Sequence, residues 1–176
     1  MGITATDIKE LREQTNCGVI ECKKALEESK GDITKAKEIL RKRGLEIAAK
    51  KGNREAKEGR VEVYIHPGNK IGVLVEVNSE TDFVAKSEAF VKFTKEVALQ
   101  IAASSPKYIK REDIPADVLK TQPEAEMYIK EVCLMEQAYV KDPKQNIQDL
   151  LNNLVVSIGE NIFVRRFVRF KVGEVE

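Results

Sequence analysis

Residues 61–77 read Val61-Glu62-Val63-Tyr64-Ile65-His66-Pro67-Gly68-Asn69-Lys70-Ile71-Gly72-Val73-Leu74-Val75-Glu76-Val77. Val61, Val63 and Ile65 alternate with Glu62, Tyr64 and His66. Ile71, Val73, Val75 and Val77 continue the alternation beyond Pro67-Gly68-Asn69-Lys70. A period of two belongs to a strand, whose successive side chains point to opposite faces, and Pro, Gly and Asn each favour turn geometry. The stretch predicts a β-hairpin that buries one face, the face of these valines and isoleucines. Near the end of the chain Ile162, Val164, Val168, Phe170 and Val172 alternate in the same way, with Arg165, Arg169 and Lys171 opposite them. That pattern predicts a third, half-buried strand. Arg166 falls on its apolar side, where it requires a carboxylate partner or an escape to the rim.

Upstream the period changes to that of helices. Thr4 followed by Asp7 reads as a capped helix start, with Ile8 and Leu11 on one face, and Asn16-Cys17-Gly18 reads as a break. A second helix from about Val19 to Lys30 carries Val19, Cys22, Ala25 and Leu26, and Gly31 is placed for a left-handed cap. Asp32 starts a third helix with Ile33, Ala36, Ile39 and Leu40, which is expected to stop at Gly44. Helices this short do not persist alone in water, so the pattern predicts a three-helix module over residues 1–44. Residues 45–60 read as a basic helix fraying into a linker, and residues 61–176 as the larger part. In that part Ser87 caps a long helix bearing Phe90, Phe93, Val97 and Ile101, which ends at Ser104-Ser105-Pro106. A short helix is expected near Ile114-Pro115, and another with Met127, Val132 and Met135, the methionines as core filler. Asn146 with Asp149 caps a helix that buries Leu150, Leu151, Leu154, Val155 and Ile158. The fold class is α+β: helical module, linker, then a three-stranded antiparallel sheet packed with helices.

Composition narrows the function classes. Of 176 residues, 42% are apolar, and the net charge is +1, which marks neither a nucleic-acid nor a membrane protein. No stretch approaches the ~18 consecutive apolar residues of a membrane span, and no N-terminal apolar region is present. Met1-Gly2 with Thr6 fits the loose myristoylation pattern only by chance. Cys17, Cys22 and Cys133 have no disulfide-like spacing, which points to a reducing cytoplasm. With one histidine, His66, the chain lacks the ligands of the usual zinc sites, and no phosphate-binding loop or nucleophile elbow occurs. No metal, cofactor or catalytic residue is expected, and the chain reads as a non-enzyme. Between Lys35 and Arg60 basic residues outnumber acidic ones. A phosphate backbone could bind there, but with no interleaved aromatic residue a solvated helix face is the favoured reading.

The hairpin is followed by Asn78-Ser79-Glu80-Thr81-Asp82-Phe83-Val84-Ala85-Lys86. Phe83 comes where a polar connection is expected. Local pattern alone favours a ring folded back to plug the end of the core. The alternative is a rigid aromatic beside a carboxylate, anchoring a protein interface.

Thr81-Asp82-Phe83-Val84-Ala85 matches the signature of elongation factor Ts, the guanine-nucleotide exchange factor of elongation factor Tu. Leu11-Arg12-Glu13-Gln14-Thr15, Glu21 through Leu26, Gly31-Asp32, Gly159-Glu160-Asn161, Arg165-Arg166 and Phe170 through Glu174 are similar to family segments in the same order. The chain therefore resembles the short bacterial form over nearly its whole length. The resemblance implies an N-terminal module similar to a ubiquitin-associated domain and a core domain with a three-stranded antiparallel sheet. It implies that Asp82 and Phe83, flanked by Thr81 and Val84, enter the GTP-binding domain of elongation factor Tu near its magnesium and phosphate site. Arg12, Val19 and Ile20 hold the positions by which the N-terminal module docks; some relatives have Met-Met where this chain has Val19-Ile20. The chain is shortened between Pro115 and Glu131 relative to short relatives. It has one copy of a core that longer relatives carry as two halves, which implies a homodimer. No direct nucleic-acid or membrane partner is implied.

Overall fold

A computed structural model describes residues 3–15, 17–52 and 54–174. Met1 and Gly2 of the myristoylation pattern and Asn16 of the first break lie outside the described residues. The fold is α+β, in two compact units: Met1–Glu55 with Leu151–Ile162, and Ala56–Leu150 with Phe163–Glu176.

The first unit contains α1 (Ala5–Thr15), α2 (Val19–Glu28) and α3 (Ile33–Lys51). Thr4 Oγ1 accepts from Asp7 N at 3.2 Å while Asp7 Oδ2 accepts from Thr4 N at 2.8 Å, a reciprocal cap that starts α1. Leu11, Cys17, Cys22, Ala25, Leu26, Ala36 and Leu40 form the core, flanked by Ile3, Ile8, Ile33 and Ile39. Gly31 takes φ +86, the left-handed cap expected after α2. Gly44 does not end α3. A Cβ there would lie 3.3 Å from Asn152 Cβ and 3.4 Å from Val156 Cγ2. The glycine thus serves close approach of a fourth segment, the second half of α8 (Ile147–Ile158), which sequence reading left out of the module. Because α3 runs to Lys51 and β1 begins at Glu58, helix and strand occupy both ends of the stretch expected as a linker.

The second unit is built on β1 (Glu58–Ile65), β2 (Ile71–Ser79) and β5 (Phe163–Lys171), antiparallel in the order β1-β2-β5. Helix α5 (Glu88–Ser104) packs on β1 and β2 and buries Phe90, Phe93, Val97 and Ile101. Ser87 Oγ caps it by accepting from Phe90 N at 3.4 Å. Beyond α5 lie α6 (Ala116–Lys120), α7 (Ala125–Val132), and a small ribbon of β3 (Ala138–Tyr139) and β4 (Asp142–Asn146). Ile114, Ile129, Val132 and Cys133 form a second small core there. Met135 is buried as expected, but Met127 is exposed.

The hairpin forms where expected, with its two apolar runs on opposite faces. The register pairs Glu62 with Val75, Val63 with Leu74 and Tyr64 with Val73. Residues opposite one another share a face. Val73, Val75 and Val77 are buried toward α5, so Glu62 and Tyr64 accompany them, and Val61, Val63 and Ile65 point outward and are exposed. Glu62 is accommodated on the inner face by Arg60 Nη2 at 3.0 Å and Thr94 Oγ1 at 3.1 Å. The closing strand is also corrected. A register shift between Glu76 and Val77 inverts its phase after Val164. Val164 is buried, whereas Val168 and Phe170 join the outer face. Arg169 Nε, on the inner face, donates to Ala102 O at 3.4 Å. Arg166 finds the carboxylate it required, Glu76 Oε2, at 2.7 Å.

Candidate docking site

Strand β2 delivers the chain into a sharp corner followed by the five-residue helix α4 (Asp82–Lys86). The approach to the corner depends on Gly59 of β1. It takes φ +142, and a Cβ there would lie 2.2 Å from Val77 O and 2.8 Å from Asn78 Cα. Only glycine permits that backbone and that contact. Beside it Asn78 Nδ2 donates to Glu58 O at 3.0 Å. Ser79 is fully buried, and its hydroxyl donates to Thr81 O at 2.9 Å. Thr81 is extended, and its hydroxyl accepts from Val84 N at 3.4 Å, capping α4.

These bonds place Ala85 inward and Phe83 outward. Phe83 is 82% exposed, so the core-plug expectation from local pattern is overturned. Ala85 of the same helix and Phe90 of α5 are buried instead. Asp82 Oδ2 accepts from Lys86 Nζ at 2.7 Å, one helical turn on. The Lys86 hydrogen bond holds the Asp82 carboxyl below its ordinary range, and Asp82 holds the Lys86 ammonium above its own. The corner thus presents a fixed carboxylate and a solvated aromatic ring side by side. Val84 is half-buried behind them.

In the first unit, Val19 and Ile20 occupy the first turn of α2 and are both more than half exposed. Arg12 is exposed in the last turn of α1. Neither Val19 nor Ile20 belongs to the core of this unit. The corner and these three residues belong to different units.

Other candidates are quieter. Cys17, Cys22 and Cys133 are buried, and burial pushes the Cys17 and Cys22 thiols up and that of Cys133 to about 11, which disfavours the thiolate. His66 is exposed and meets Tyr64 Oη at 3.1 Å through Nδ1. Among the described residues no cluster of His, Cys, Asp or Glu could hold a metal ion. In the basic run, Arg43 pairs with Glu21 and Glu28, Lys35 with Asp32, and Lys51 with the carbonyl of Gly159.

One surface escaped the sequence reading. The outer face of the sheet carries Val61, Val63, Ile65, Leu74, Val168 and Phe170, all exposed. The signal for it was present in β2, where Ile71-Gly72-Val73-Leu74-Val75 is almost continuously apolar. Such a run marks a strand covered on both faces.

The family profile described as "Elongation factor TS" matches residues 4–128 and 124–174. The chain is similar to the elongation factor Ts of Anaeromyxobacter sp. (strain K), 52% identical over 98% of this chain and 89% of that protein. It is likewise similar to that of Caldanaerobacter subterraneus subsp. tengcongensis, at 49% identity over 98% of both chains. With that of Acetivibrio thermocellus it shares 50% identity over 98% of this chain and 91% of the relative.

Proposed function

The chain belongs to the elongation factor Ts family of translation elongation factors, and we propose that it binds elongation factor Tu in its GDP form and accelerates GDP release. The exposed Phe83 ring on its hydrogen-bonded corner is the observation that carries this reading. A monomeric protein gains nothing by fixing a phenylalanine in solvent, whereas a partner pocket recovers its burial. In this proposal Phe83 wedges into the GTP-binding domain beside the magnesium and phosphate site. Asp82 brings a carboxylate to the same place, paired with Lys86 until it docks. Thr81 and Val84 shape the contact, and Arg12, Val19 and Ile20 form a second docking patch.

Exchange needs no covalent chemistry, and the chain acts as no enzyme in this reading. Factor and nucleotide weaken each other's hold on the partner by the same factor. A thousandfold weakening requires about 4 kcal/mol of coupling. One inserted aromatic anchor supplies about 2–4 kcal/mol. The remainder falls to Asp82 and the N-terminal patch, which is why two separated sets of contacts are proposed.

We further propose that the outer sheet face pairs with a second copy of the chain. Its apolar strip is bordered by the Arg166–Glu76 ion pair. A two-fold axis would lay strip on strip, as isologous interfaces require. Nucleic acid is not a proposed partner, because the net charge is only +1 and no aromatic residue interleaves the basic run. No membrane partner is proposed either, and the cytoplasm, where translation proceeds, is the proposed place of action. The test of exchange is release of fluorescent GDP from elongation factor Tu. A large acceleration by the chain is expected, and no acceleration at saturating chain would overturn the reading.

A further inference from the structure

A five-residue helix cannot hold itself together in water. Helix α4 nevertheless forms, and carries Phe83 outward, with only Ala85 of its own residues buried. Backbone bonds close its two ends, Ala85 N to Thr81 O at 3.3 Å and Ser87 N to Val84 O at 2.9 Å. Side chains flanking the helix add to these. Ser79 Oγ, fully buried at the end of β2, donates to Thr81 O at 2.9 Å. Ser87 Oγ, at the joint with α5, donates to Val84 O at 2.8 Å and accepts from Phe90 N at 3.4 Å. The two hydroxyls grip the carbonyls on either side of Phe83. One ties it to the sheet and the other to the long helix, the two most extensively packed elements of the unit.

We infer that Ser79 and Ser87 are positioning residues for docking: neither touches the partner, and together they keep the Asp82–Phe83 corner in its docking geometry before the encounter. The inference rests on the exchange reading above and deepens it. Docking a mobile aromatic costs the entropy of ordering it, and a clamp removes that cost in advance. If loosening lowers the fraction of chains with a competent corner, apparent affinity falls by that fraction and the fully docked complex is unchanged. A half-saturating concentration should therefore move while the maximal rate does not.

The experiment compares the unaltered chain with Ser79→Ala, Ser79→Cys and Ser87→Ala in release of fluorescent GDP from elongation factor Tu across a range of chain concentrations. Amide hydrogen exchange at Val84 and Ser87 is followed in the free chains. Each alanine variant should raise the half-saturating concentration about fivefold, the equivalent of one net hydrogen bond of ~1 kcal/mol. Maximal release should stay within about twofold, and the two amides should exchange faster. Ser79→Cys keeps a small, weak donor in the same space and should recover part of the loss. Unchanged half-saturation in both alanine variants overturns the inference, whatever the amides do, and so does a fall confined to the maximal rate. Should Ser79→Ala fail to fold, Ser87→Ala decides alone, since Ser87 is only half-buried. No acceleration by the unaltered chain overturns the exchange reading itself, and this inference with it.

Discussion

Replacing Phe83 with alanine removes a ring that is 82% exposed. Little apolar area is lost from the folded chain, so its stability should change by no more than about 0.5 kcal/mol, the range of ordinary surface substitutions. Truncating a buried phenylalanine would cost about 3–5 kcal/mol. Docking reverses the comparison. If the ring is buried in the partner, its loss removes about 2–4 kcal/mol from the docked state. At 1.4 kcal/mol per decade, this is roughly a thirtyfold to thousandfold loss of GDP-release acceleration at subsaturating chain. Urea unfolding and stopped-flow release of fluorescent GDP measure the two halves. Folding and activity should separate: midpoint unmoved, acceleration nearly gone. Equal release rates for variant and unaltered chain would refute the wedge, and a collapsed unfolding midpoint would refute the placement of Phe83 in solvent.

Three further perturbations bear on the rest of the account. Phe170→Lys, placing a charge on the open sheet face where the ring is 62% exposed, should leave the fold intact and convert a dimer to a monomer in sedimentation velocity; an unchanged mass would remove that face from the interface. Glu62→Gln should leave the Arg60 guanidinium on the inner face opposite a neutral amide in place of its 3.0 Å carboxylate and cost about 2 kcal/mol in urea, below the 3–5 kcal/mol of a fully buried pair because Arg60 is partly exposed; an unmoved unfolding midpoint would contradict this. Glu96 carries a pH signature: burial pushes its carboxyl up, but Lys141 at 2.6 Å and Tyr139 at 2.5 Å together outweigh burial and hold it below its ordinary range. A lowered folded-state value stabilises above the unfolded value near 4.5, and the contribution disappears as pH falls through the folded value. Glu96→Gln should therefore flatten the acid limb of the stability curve while lowering stability at neutral pH, and an unaltered acid limb would contradict the assignment.

Local chemistry was the most legible part of the chain. Thr4 with Asp7, Asn146 with Asp149, and Ser87 announce helix starts through short-range bonds that need no knowledge of the fold. The faces of the sheet were not legible, for a reason of parity. In the hairpin, residues pair so that Val63 meets Leu74 and Glu62 meets Val75. Odd-numbered β1 residues therefore share a face with even-numbered β2 residues. A turn one residue longer or shorter would have placed both apolar runs together. Alternation identifies strands but leaves that parity to the turn, and in β5 the shift after Val164 resets it again. Gly44 failed for a related reason: a helical glycine can end a helix or admit a neighbour, and only the position of Asn152 and Val156 tells which. Phe83 was ambiguous because a connection does not reveal whether its aromatic turns in or out. The hydroxyls of Ser79 and Thr81 settle that orientation in the structure, through contacts spanning two or three residues.

The central claim is that the Asp82–Phe83 corner and GDP compete energetically for elongation factor Tu. It is tested most directly by a closed binding cycle. GDP affinity for the partner is measured with and without saturating chain, and chain affinity is measured with and without saturating GDP. The account predicts two equal reductions, each about a thousandfold and equivalent to ~4 kcal/mol, both largely abolished by Phe83→Ala. A GDP affinity that is the same with and without the chain would contradict it.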